Sequence, residues 1–146
     1  MMRRTCVVAL LILAGACGGK PPAPAPNVNI RSDYYALMIQ SARFSQPGLS
    51  LQLLSDSVTT VLDSAVLQGI DASYTAWRKL ATEGQVTGAA RTVVGSQEFG
   101  DSLIRDHGRI LFERTGMKDT TMAFASLWRR EKAGWRLYLD SVRAER

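Results

Sequence analysis

Two carboxylates in this chain stand where an acid could move a proton. Asp63 closes the β-branched run Val58-Thr59-Thr60-Val61-Leu62, and Asp106 sits in the alternating stretch Ile104-x-Asp106-x-Gly108-x-Ile110-x-Phe112. A carboxylate held among apolar side chains loses the solvation of its charged form. Its pKa then climbs towards neutrality and it becomes a usable general base. Each acid also has a plainer reading. Asp63-Ser64 falls between two short apolar runs, where an Asp in a turn bonds its own backbone. Asp106 shares an inward face with its apolar neighbours only if the strand alternates regularly, and a bulge at Gly108 would swap the faces over part of its length. On regular alternation, Arg105, His107, Arg109 and Glu113 make up the opposite, solvated face.

His107 is the single histidine of the chain. A nucleophilic triad or a zinc site would have to be built around it, and zinc needs at least three protein ligands from Cys, His and carboxylates. No second His or nearby thiolate accompanies it, so neither a metal nor a cofactor is expected. The large aromatics read first as core builders: Trp77 on a helix, and Phe124, Trp128, Trp135 and Tyr138 on strands. Phe124 and Trp128 share a strand parity and so face one side together, as do Trp135, Leu137 and Leu139. The basic run Arg129-Arg130-Glu131-Lys132 is a charged hairpin turn. It lacks the sustained basic patch that nucleic acid requires.

The remaining chemistry is at Cys17. Arg3 and Arg4 precede the unbroken apolar run Val7–Leu13, which is too short to span a bilayer core of about 30 Å. Small residues follow and then Cys17, the layout of an export signal. Leu13-Ala14-Gly15-Ala16-Cys17 resembles a bacterial lipobox, in which the Cys is acylated and becomes the new N-terminus. Residues 1–16 are thus expected to be a lipoprotein signal peptide, and residues 17–29 an acylated Cys with a linker. Gly18–Pro26 contains four of the five prolines. In polyproline II form those nine residues reach about 28 Å at ~3.1 Å each. Removing residues 1–16 from the 146 leaves 130 and takes two of the 18 basic residues, so the net charge falls from +5 to +3. Cys6 leaves as well, so the mature domain carries no disulfide and stands on its hydrophobic core. The expected location is the cell envelope, lipid-anchored and facing the periplasm or exterior, with the membrane as a partner and nucleic acid excluded.

The elements that position these residues follow from periodicity. Asn29 or Ser32 is a candidate helix cap, followed by a stripe of Tyr34, Leu37, Met38, Ser41 and Ala42 that Ile39 and Phe44 widen. Leu49–Leu54 makes a helical turn or two, Val58–Leu62 a strand and Ala65–Leu67 a short partner. Ile70, Tyr74, Trp77 and Ala81 mark an amphipathic helix ending at Gly84. Four strands follow: Arg91–Phe99, Ser102–Thr115, Thr120–Arg130 and Trp135–Val142. Short turns between them imply an antiparallel meander, and helices followed by strands indicate an α+β fold.

This order resembles the nuclear transport factor 2-like superfamily, which includes SnoaL-like and ketosteroid isomerase-like proteins. Two passages carry the resemblance within residues 30–146: Val58–Trp77, VTTVLDSAVLQGIDASYTAW, and Ala123–Asp140, AFASLWRREKAGWRLYLD. The resemblance implies a cone-shaped half-barrel, a curved antiparallel sheet wrapped around N-terminal helices with a pocket at the open end. On that pattern Asp63 matches the proton-shuttling acid by position, and Tyr34 or Tyr35 matches a helix-borne oxyanion-stabilising Tyr. The late-strand acid of the pattern falls near Ser126, a departure that argues against steroid-type isomerisation. The expected pocket residues are Tyr34, Asp63, Asp106 and Trp128. Three functions are consistent with this: a small apolar or amphipathic ligand bound in the cone; an isomerase, cyclase or dehydratase using Asp63 or Asp106; or a homodimeric envelope interaction module pairing through the outer sheet face.

Overall fold

A computed structural model describes residues 28–46 and 48–145. The export signal, Cys17 and the Pro-rich stretch expected from the sequence lie outside the described residues. Three helices and six strands follow in order: α1 (Val28–Phe44), α2 (Gly48–Gln52), β1 (Leu54–Leu62), β2 (Ala65–Gln68), α3 (Ile70–Glu83), β3 (Val86–Phe99), β4 (Leu103–Arg114), β5 (Thr120–Glu131) and β6 (Gly134–Ala144). Among them, no helix is long and apolar enough to cross a membrane.

Helix α1 begins before both candidate caps, so Asn29 and Ser32 lie inside it. It buries Tyr34, Tyr35, Met38, Ile39 and Ala42, while Phe44 is exposed. Its end is a Schellman-type turn with Ser45 in the left-handed region (φ 52°) and the Gln46 N–H donating to the Ser41 carbonyl at 3.0 Å. Helix α3 starts after Gly69, whose φ of 87° suits glycine. It buries Ser73, Trp77 and Ala81. The Tyr74 hydroxyl donates to the Ser41 carbonyl at 3.0 Å and fastens α3 to α1.

The strands form one curved, open sheet in the order β2-β1-β6-β5-β4-β3. β3 to β6 make the expected antiparallel meander. The junction of β1 with β6 is parallel, which corrects the expectation of a wholly antiparallel sheet. The chain leaves β2 through α3, re-enters at the opposite edge as β3, and works back until β6 meets β1 running the same way.

Strand β4 alternates without interruption: Ile104, Asp106, Ile110 and Phe112 are buried, whereas Arg105, His107 and Arg109 are exposed. The expected bulge at Gly108 is instead in the facing strand. Val93 pairs with Gly108 and Gly95 with His107, so Val94 is the extra residue, on β3. Gly108 lies under that strand; a Cβ there would meet the Thr92 carbonyl oxygen at 2.0 Å. A second bulge falls on β6. Leu127 pairs with Leu139 but Trp128 pairs with Leu137, leaving Tyr138 as the extra residue. Trp135 and Leu137 point inward, but beyond the bulge Asp140 and Val142 do so, and Leu139 turns out to 36% exposure. The common face expected for Trp135, Leu137 and Leu139 is therefore broken.

Candidate functional site

The space between the sheet and helices α1 and α3 holds an aromatic cluster. Tyr34 meets Tyr35 edge-on at 5.0 Å between centroids and Trp128 at 6.1 Å; Tyr35 contacts Trp77 and Phe124, each at 5.7 Å. A small set of polar groups is embedded in these rings.

Asp106, buried on β4, is the hub of an ion cluster. Arg31 Nη1 reaches both its carboxylate oxygens at 2.9 Å, Arg91 Nη2 reaches Oδ2 at 3.0 Å, and the Ser96 hydroxyl donates to Oδ1 at 2.6 Å. Arg91 is also fixed by its own contacts. Nη1 donates to the Arg31 carbonyl, Nη2 reaches Ser126 Oγ at 3.3 Å, and the guanidinium lies 4.2 Å above the Phe124 ring. Two cations and a hydroxyl thus occupy a single carboxylate. The carboxylate is the shared counter-ion of both guanidiniums.

Asp140 is different. It is fully buried on β6, where it pairs in register with Ser126. Tyr35 donates its hydroxyl to Oδ1, while Oδ2 has no hydrogen-bond partner among the described residues. Burial pushes the carboxyl up to about 7, against the opposing pull of the Tyr35 hydrogen bond and the Arg91 charge. Burial, followed by the Asp140 charge, raises both Tyr34 and Tyr35 well above the usual phenol range, so both stay protonated donors. The Tyr34 hydroxyl and Trp128 Nε1 have no partner among the described residues either. Sequence reasoning placed the late-strand position at Ser126 with no acid; the structure puts one beside it, on the next strand.

The residues expected to line one pocket are split between two places. Tyr34, Asp106 and Trp128 belong to the buried interior. Asp63 is exposed at the end of β1, in the left-handed region (φ 53°). Its N–H donates to the Val142 carbonyl at 2.8 Å, and its Oδ1 accepts from the Ala144 N–H at 3.0 Å. It staples the β1–β2 turn to the end of β6, a long-range bond where the turn reading expected one to its own local backbone. It also lines a groove of about 960 Å³ between the β1–β2 hairpin and α3. The floor is apolar, with Leu62, Leu67, Ala72, Ala76 and Leu80. His107 is exposed on the outer sheet face with its ring against Gly95, and no metal-holding group of His, Cys, Asp and Glu occurs among the described residues.

Arg31, Arg91 and Asp140 were not singled out from sequence. Arg91 sits in a strand, and its side chain is enclosed by the Arg31 carbonyl of α1, the Asp106 carboxylate and the rings of Tyr35 and Phe124. Asp140 carries the opposite parity to Trp135 and Leu137, so alternation alone places it outside.

The fold and this interior define a class: an α+β cone of curved mixed sheet with helices packed on its concave face. It is the nuclear transport factor 2-like fold. Solved structures that share it include a nuclear transport factor 2-like protein of unknown function from Shewanella oneidensis (TM-score 0.62, 12% identity, 79% of this chain and 97% of that one). A putative calcium/calmodulin-dependent protein kinase II association domain from Thiobacillus denitrificans matches with TM-score 0.64 and 17% identity, over 87% of this chain and all of that one. A putative scytalone dehydratase from Novosphingobium aromaticivorans matches with TM-score 0.55 and 10% identity, over 82% and 85% of the two chains. No family profile and no curated protein matches the sequence.

Proposed function

We propose that this chain is an envelope protein, anchored through acylated Cys17 and facing the periplasm or exterior, whose domain binds a small apolar or amphipathic molecule. The observation that carries the binding reading is the groove of about 960 Å³ between α3 and the β1–β2 hairpin, large enough for a small ligand and floored by aliphatic side chains. Titration with a neutral environment-sensitive dye such as N-phenyl-1-naphthylamine tests it. The expected result is saturable binding that Thr75→Trp, which fills the groove from an exposed position on α3, abolishes. Binding that never saturates, or that ignores Thr75→Trp, argues against the reading. Anchoring has a separate test: labelling with an azido fatty acid should mark the wild-type chain, and Cys17→Ala should both lose the label and leave the membrane fraction.

A second reading, an isomerase- or dehydratase-type enzyme, draws on Asp140. This carboxyl is held near neutrality beside two phenols that stay protonated. Such a group can give or take a proton at physiological pH. Asp106 is less suited, being saturated by Arg31, Arg91 and Ser96. Asp63 is less suited too, being solvated and bonded to Ala144. If a dehydration or isomerisation substrate is found, activity should disappear in Asp140→Asn and survive in Asp63→Asn; the reverse pattern would restore Asp63 as the shuttle.

A further inference from the structure

The groove between α3 and the β1–β2 hairpin has an apolar floor and a charged rim, and the rim has the opposite sign to the chain as a whole. The complete sequence is basic, with 18 Lys and Arg against 13 Asp and Glu. The groove is lined by three carboxylates, Asp63, Asp71 and Glu83, against one ammonium, Lys79. Lys79 is itself partnered, 3.8 Å from Glu83 on the same helix face. Asp71 and Glu83 stand at opposite ends of α3, and Asp63 lines the groove from the β1–β2 turn. One oxygen of the Asp63 carboxylate, Oδ1, accepts from the Ala144 N–H at 3.0 Å.

From this we infer that the groove selects a cationic amphiphile, with its apolar body against Leu62, Leu67 and Leu80 and its positive head at the carboxylate rim. The inference rests on the groove being the binding site. An anionic amphiphile would be drawn to the chain's overall charge and then repelled at the groove; a cationic one meets attraction where its apolar part is already buried. The rim is solvated, so the charge acts as a selector, and the aliphatic floor supplies most of the affinity.

Three ligands with the same decyl chain separate these contributions: decyltrimethylammonium, decyl maltoside and decyl sulfate. Each is titrated below its micelle concentration, by calorimetry at low salt, into the full chain carrying Cys17→Ser so that no acyl group competes. The cation should bind about tenfold tighter than the sulfate, the sum expected of two or three solvent-screened ion pairs, with the maltoside between them. The double variant Asp71→Asn/Glu83→Gln, confined to exposed side chains, should erase that order while keeping maltoside affinity. Sulfate or maltoside binding as tightly as the cation overturns the inference and leaves the groove reading intact. So does a cation preference that survives the double variant. If none of the three saturates, or Thr75→Trp leaves all three unchanged, the groove reading itself fails and takes the inference with it.

Discussion

The Tyr35 hydroxyl donates to Asp140 Oδ1 across 105 residues of sequence, joining the first helix to the last strand inside an aromatic core. The bond ties two fully buried groups whose charged forms are both disfavoured by burial. Burial holds the carboxyl near neutrality, at about 7, against the pull of that bond.

That carboxyl makes stability depend on pH in a direction opposite to an ordinary salt-bridged acid. In the folded chain Asp140 keeps its proton up to about pH 7, whereas an exposed Asp releases it near pH 4. Between those limits the native state binds the extra proton, so stability falls as pH rises through the window and levels off above it. The loss amounts to roughly 1.4 kcal/mol per unit, on the order of 4 kcal/mol across the window. Asp140→Asn should flatten this slope and be at least as stable as wild type at pH 8. Urea midpoints at pH 4.5, 6 and 8 measure it, and parallel slopes for the two proteins would contradict it.

Tyr35→Phe removes the hydrogen bond that holds the Asp140 pKa down. The carboxyl should then titrate higher still, and the descending part of the stability curve should extend to higher pH. The variant is expected to cost about 1–3 kcal/mol at pH 8, where a buried carboxylate has lost its donor, and less at pH 5. An equal cost at both pH values would show that only packing was lost.

Asp106 neutralises two guanidiniums, so removing it and removing one partner are unequal changes. Asp106→Ala leaves Arg31 and Arg91 both buried without their counter-ion and should destabilise by about 3–5 kcal/mol. Arg31→Ala leaves the Arg91–Asp106 pair in place and should cost less. Chemical denaturation of both variants settles the ranking, and an equal or reversed order would mean that Asp106 is not the hub.

The two glycines at the β3–β4 crossing predict a contrast. A Cβ on Gly108 meets backbone, the Thr92 carbonyl oxygen at 2.0 Å, while one on Gly95 meets the His107 ring, its Cε1 at 2.3 Å. Gly108→Ala should cost roughly 1–3 kcal/mol or more, because a strand has to shift. Gly95→Ala should cost less, and His107→Ala should rescue it, since an exposed ring can be removed. A double-mutant cycle on Gly95 and His107 reads the coupling directly; a coupling indistinguishable from zero would refute the contact.

Local periodicity carried much of this molecule. The α3 stripe of Trp77 and Ala81, and the alternation that turns Ile104, Asp106, Ile110 and Phe112 inward, are consequences of helix and strand geometry acting on neighbouring residues. They were readable because nothing interrupts those elements. The turn at Asp63 was readable for the same reason, from a short acid between two short apolar runs. The association of Asp106 with Arg31, 75 residues away, was not. A buried ion pair between distant elements leaves no mark on either stretch of sequence.

The sequence by itself determined the order of elements and the antiparallel meander, and it placed Asp106 inside only on the condition that β4 stayed regular. Tertiary structure alone decided that β6 meets β1 in parallel, that the extra residue opposite Gly108 belongs to β3, and that Tyr138 is bulged on β6. The last of these brought Asp140 into the core. Side-chain direction along a strand follows a period of two only while pairing is regular. One extra residue reverses it, and whether a strand carries that residue depends on the strands beside it.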